Sequence, residues 1–212
     1  MKRPVNKLKT VKYPNGDFTQ WFGENPQLYA RFELKGHNGV DIVRPHGEVM
    51  YAIESGTVVN AKDTPDGFGI HIRLISDNKN ERGYYHEWTY GHCSRLLVKQ
   101  GDHVDEGQAI ALMGNTGFVI SGATPFWKNN PYAGTHLHLG LREVKRPRTG
   151  GWKYEGSDIR LSVVNSNNGY KGAIDPLPTL WEADDIIQTD VWRQSALTVV
   201  SLLKTIINLY KK

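Results

Sequence analysis

The feature that most narrows the possible folds is a run of short segments, apolar at alternate residues and separated by glycine turns. FGIHIRLIS (68–76) alternates cleanly, and SGTVVNA reads as a turn entering a strand. YYHEWTYGHCSRLLV (84–98) and THLHLGLREV (135–144) read as further strands. Val49, Tyr51 and Ile53 share one face of an extended segment. The 22 glycines among 212 residues are spread along the chain, which marks turns rather than a linker. Strands at this spacing predict a mainly antiparallel all-β domain, barrel- or sandwich-like, with short helices at most. Residues 1–36 read as short strands and loops.

The tail follows a different period. In residues 195–212, Leu197, Val200, Leu203, Ile206, Ile207 and Tyr210 recur every three to four positions, which predicts an amphipathic helix. At about 25 Å it falls short of a bilayer core of about 30 Å. Such a helix packs on the domain or a twin subunit, or else rests on an anionic envelope or a partner. The expected division is a domain over 1–178, with its core at about 18–145, and a helical tail over 179–212.

Charge and cysteine content exclude several classes. The net charge of +4 comes without a dense Lys/Arg block, so no nucleic-acid partner is expected, whereas an anionic cell wall is compatible. A single cysteine, Cys93, rules out an internal disulfide and a cysteine-built zinc knot. The basic start MKRPVNKLKT leads into no apolar stretch of signal-peptide type, so synthesis in the cytoplasm is expected. Oligomeric state is not legible.

The chemistry lies in two motifs. His136 and His138 stand two apart in GTHLHLGLRE, so in a strand both rings project to one face. About a hundred residues earlier, GHNGVDIV (36–43) places His37 and Asp41 four apart, an even spacing that returns to one face, with Gly36 and Gly39 permitting bends. An imidazole, a carboxylate and one imidazole of the 136/138 pair make three zinc ligands, and a three-ligand site keeps a position for water. His92, in TYGHCSRL, reads in isolation as a surface or core histidine.

In order along the chain, His37-x-x-x-Asp41, Tyr90-x-His92, GDHVDEGQAIALMGNTG and His136-Leu137-His138 resemble the lysostaphin/LytM-type zinc endopeptidases, which cut peptide cross-links of bacterial peptidoglycan. The resemblance covers roughly residues 18–145. It implies a compact antiparallel β fold with a groove over one zinc ion held by His37, Asp41 and His138. It also implies that His92 and His136 stand beside the metal, orient water and stabilise the transition state, with the base and acid roles undivided between them. The implied activity is zinc-dependent hydrolysis of cross-links or stem peptides. The start without a signal peptide adds the expectation of a phage or prophage lysin, reaching the wall by lysis, a holin or a phage particle, with unconventional export as the other route. The alternative is a noncatalytic wall-binding, hydrolase-regulating or phage structural module of the same fold. Pentaglycine bridges and D-Ala–diaminopimelate links are both cut within the family.

One departure stands out. Residues 118–134, FVISGATPFWKNNPYAG, lengthen the passage to His-x-His. Trp127 and Tyr132 are candidates for a substrate-groove wall, with a self-packed surface loop as the alternative. Tyr90, two residues before His92, shares its face on the alternating pattern and is a further candidate for lining the site, or for the core. His46, His71, His86 and His103 lack a partner motif and read as structural or exposed. Cys93 faces away from His92, which excludes a thiol nucleophile paired with it.

Overall fold

The computed structural model describes residues 2–65, 67–121, 124–125, 130–146 and 162–182. Its strands are β1 (Phe18–Gln20), β2 (Val40–Ile42), β3 (Val49–Tyr51), β4 (Gly56–Thr64), β5 (Gly69–Lys79), β6 (Tyr85–Leu96) and β7 (His103–Val104). They continue with β8 (Ala109–Met113), β9 (Ile120–Ser121), β10 (Thr124–Pro125), β11 (Leu137–Lys145), β12 (Ser162–Val163) and β13 (Ala173–Ile174). The main sheet runs β1-β2-β11-β6-β5-β4-β7, with β12 and β13 on β11, and β8 bridging β6 and β3. The ladders between these strands are antiparallel, as the alternating pattern predicted. The chain divides into two compact units, Met1–Leu177 and Pro178–Lys212. No helix among the described residues is long and apolar enough to cross a membrane.

Register explains the core. Tyr90 of β6 lies between Ile72 of β5 and Leu139 of β11, and Trp88 lies between Leu74 and Leu141. All six side chains are fully buried. Residues between them in sequence must face the other side of the sheet. There His138 pairs with Gly91, Gly140 with Thr89, and Arg142 with Glu87. One face of the three central strands therefore builds the core. The other forms a floor on which small residues leave room.

In its secondary structure the chain departs from the sequence-based reading near the N-terminus and within β6. Residues 1–36 include helix α1 (Pro26–Tyr29) and a 3-10 turn (Ala30–Phe32) rather than strands and loops alone. The available signal was Pro26 at the first helical position, where a missing N–H costs nothing. In β6 the alternation breaks at His92, whose φ of 61° lies in the left-handed region. Trp127 and the 195–212 segment lie outside the described residues. A second helix, α2 (Leu177–Glu182), closes the described chain.

Candidate metal centre and cleft

Asp41 and His138 meet because β2 and β11 pair in the register that sets them directly opposite each other. His37 arrives differently. It precedes β2 on a turn, and its position is set by backbone bonds: Gly23 N donates to His37 O, and His37 N donates to Glu24 O. Glu24 in turn accepts a bond from Trp21 N at 2.9 Å and pairs with Lys12 Nζ at 2.6 Å. The loop so held directs the Trp21 carbonyl at His37 Nδ1, 3.2 Å away. That carbonyl accepts the ring proton and leaves Nε2 with its lone pair outward.

The three candidate ligand atoms converge. His37 Nε2 lies 3.1 Å from Asp41 Oδ1 and 2.9 Å from His138 Nδ1, and His138 Nδ1 lies 3.2 Å from Asp41 Oδ1. Among the described residues these three form the metal-ligand group, and all are buried. Zn–N and Zn–O bonds of about 2.0–2.1 Å in a tetrahedron place ligand atoms about 3.3 Å apart, so the cluster fits such an ion with little adjustment. Among the described residues, His138 Nε2 has no hydrogen-bond partner. Packing orients this ring instead. Phe68 lies 5.0 Å away, and a Cβ on Gly39 would fall 2.7 Å from His138 Cε1. Gly39 is thus required for close approach rather than for a bend.

His92 and His136 stand beside this cluster, their ring centroids 4.6 Å apart. His136 Nδ1 donates to Gly134 O at 2.7 Å, and His92 Nδ1 donates to Thr116 O at 2.7 Å. Each ring is held as the tautomer with a bare Nε2. His136 Nε2 lies 3.8 Å from Asp41 Oδ2. The Thr116 carbonyl is positioned by Gly117 and Gly69, both at positive φ, which press so closely that a Cβ on Gly117 would sit 2.2 Å from Gly69 N.

Electrostatics follow from this crowding. Burial would raise the Asp41 carboxyl, but the imidazoles of His37, His136 and His138 outweigh it and hold the group well below the usual carboxylate range. Burial, reinforced by His136 and His138, keeps His92 well below the usual imidazole range. Burial lowers His138 to about 4 against the opposing pull of Asp41. One carboxylate among imidazole nitrogens is a donor set suited to a divalent cation.

The site opens on a cleft of about 600 Å³. Tyr29, Phe32 and Phe118 form aromatic walls, and Arg73 and Arg142 line it as well. Tyr29 donates to Gln20 Oε1 at 3.2 Å and lies 5.2 Å from the His37 ring. It stands on the helix that alternation could not reveal.

Two proposed groove residues go elsewhere. Tyr90 is a core residue: it is fully buried, and its hydroxyl accepts a bond from Ile53 N at 3.0 Å. The left-handed turn at His92 removes the shared face on which Tyr90 was placed in the groove. Tyr132 is exposed and lies tilted against the His46 ring, centroids 4.7 Å apart, outside the cleft walls. The other histidines have local partners: His71 donates to Gly69 O, His86 bonds Glu54, and the exposed His103 bonds Asp77. Cys93 is buried, and its thiol is pushed up to about 12 by burial, which leaves it un-ionised.

Residues 35–149 match the profile of peptidase family M23. A lipoprotein NlpD/LppB homolog of Pseudomonas aeruginosa is 39% identical over 92 residues, 42% of this chain and 29% of that protein. The peptidoglycan DD-endopeptidase ShyA of Vibrio cholerae is 33% identical over 111 residues, 52% of this chain and 21% of that protein. The chain thus spans less than a third of either relative. The solved structure of the antimicrobial peptidase lysostaphin from Staphylococcus simulans superposes with a TM-score of 0.52 at 26% identity, covering 79% of this chain and 50% of that one. On this match across more than half its length, the chain belongs to peptidase family M23.

Proposed function

We propose that this protein is a zinc-dependent endopeptidase that hydrolyses cross-links or stem peptides of bacterial peptidoglycan. The observation that carries the reading is the convergence of His37, Asp41 and His138 beside a second imidazole pair, His92 and His136, in one cleft. His37, Asp41 and His138 would hold one zinc ion. When bound, zinc acidifies water and polarises a carbonyl. His92 and His136, whose Nδ1 atoms each bond a backbone carbonyl, would take a proton from water and return it to the departing amine. The similarity to ShyA supports peptidoglycan as the substrate. The wall would be reached by lysis, through a holin or on a phage particle.

A second reading, a noncatalytic wall-binding or regulatory module, is favoured by the similarity to a lipoprotein whose name states no hydrolytic activity. The intact set of five polar residues favours catalysis. Metal analysis together with turbidity loss of cell-wall suspensions distinguishes the two. Catalysis predicts about one zinc per chain, clearing of a susceptible wall, arrest by chelator and recovery on adding zinc. Zinc bound without clearing of any wall type would establish the noncatalytic reading instead.

A further inference from the structure

Two arginines stand together at one end of the cleft. Arg142 stands four residues beyond His138 on β11, about 13 Å along the strand. Arg73 of β5 stands opposite Thr89, which itself stands opposite Gly140. Both arginines line the cleft, with Lys171 nearby, and Asp41 is the one acidic side chain lining it among the described residues. Thr89 and Gly140 keep the floor low between the histidine cluster and the arginines.

Beneath the arginines lies Glu87, fully buried. Its Oε1 accepts from Arg73 Nη1 at 3.2 Å, from Arg142 Nε at 2.9 Å and from Arg142 Nη2. Their side chains are only 15% and 16% exposed. Arg73 is also held over the Phe68 ring at 5.7 Å. A buried ionic triad is not in itself a source of stability, because well-packed apolar residues serve as well or better. What this one does is lock two planar guanidiniums at the cleft. Of the five N–H donors of Arg142, Glu87 accepts two, and the remainder suit a second carboxylate.

We propose that this end of the cleft is a carboxylate subsite, in which Arg142, with Arg73 beside it, recognises a free carboxylate on the peptide within about four extended residues of the bond cut. The substrate then carries a free carboxylate close to the bond cut. The proposal takes its substrate from the peptidase reading above, whereas its recognition chemistry comes from the arginines alone.

The test uses the zinc-loaded full chain and three synthetic cross-linked peptides: one with all carboxylates free, one amidated at the side-chain carboxylate and one amidated at the C-terminus. The free acid is cleaved with kcat/KM about ten- to a hundred-fold above at least one amide, chiefly through KM. The amide that loses activity identifies which carboxylate is read. Arg142→Met abolishes the discrimination. Arg142→Lys retains a charge for Glu87, which protects the fold, but lacks the planar fork, and it reduces the discrimination at least about five-fold. Equal kcat/KM on all three peptides by the unmodified protein overturns the proposal, as does equal loss on all three in Arg142→Lys. Calorimetry of the same peptides separates this proposal from the peptidase reading. A protein that cleaves none of them yet binds the free acid about ten-fold more tightly keeps the subsite and loses the catalytic reading. Cleavage without discrimination keeps catalysis and removes the subsite.

Discussion

At the scale of single residues, His92 and His136 are matched: each donates Nδ1–H to a backbone carbonyl and keeps a bare Nε2. Neither belongs to the trio of mutually adjacent ligand atoms. His136→Ala is therefore expected to retain one zinc per chain while kcat falls about 10²- to 10⁴-fold. Asp41→Ala is expected to lose both metal and activity. Metal analysis beside single-turnover kinetics checks this, and loss of zinc from His136→Ala would move that residue into the ligand set. The same-face placement of His136 and His138 was readable two residues apart because strand geometry is local. The Trp21 and Thr116 carbonyls that set the ring tautomers were not readable, since a backbone oxygen has no sequence signature.

At the scale of elements, β11 performs two jobs at once. Leu137, Leu139 and Leu141 fill the core, while His138 and Arg142 face the cleft. A period of two makes that division legible in THLHLGLRE. Leu139→Ala should destabilise the protein by about 2–5 kcal/mol, through lost burial and the cavity left beside Tyr90. Urea denaturation reads the loss, and peptide cleavage well below the unfolding transition should persist because the cleft face is unchanged. A cost under about 1 kcal/mol would mean that the apolar face is not the core it is described as. Helix α1 escaped the alternation argument because four residues are too few to show a helical period.

At the scale of the whole molecule, burial of neutral histidines makes stability depend on pH. His71 is lowered to about 4, first by burial, against an ordinary value of 6.5. The unfolded chain therefore takes up a proton below about pH 6.5 that the native chain refuses until about pH 4. This contribution to stability is fully present above pH 6.5 and is lost as pH falls through that window. Between pH 7 and 5 the protein should lose about 2 kcal/mol more than His71→Gln in matched denaturant titrations. Identical slopes for the two would remove His71 from the account.

By itself the sequence determined the strand character of the chain, the two faces of β11 and a short set of polar residues able to form a metal site. All of these rest on local periodicity and side-chain chemistry. Tertiary structure alone decided that Asp41 stands opposite His138, that His37 reaches them from a turn, and that Glu87 gathers Arg73 and Arg142 at the cleft. Those outcomes depend on the register between strands far apart in the chain. Register is selected by burying one whole sheet face at once, a global condition that no short stretch of residues can express.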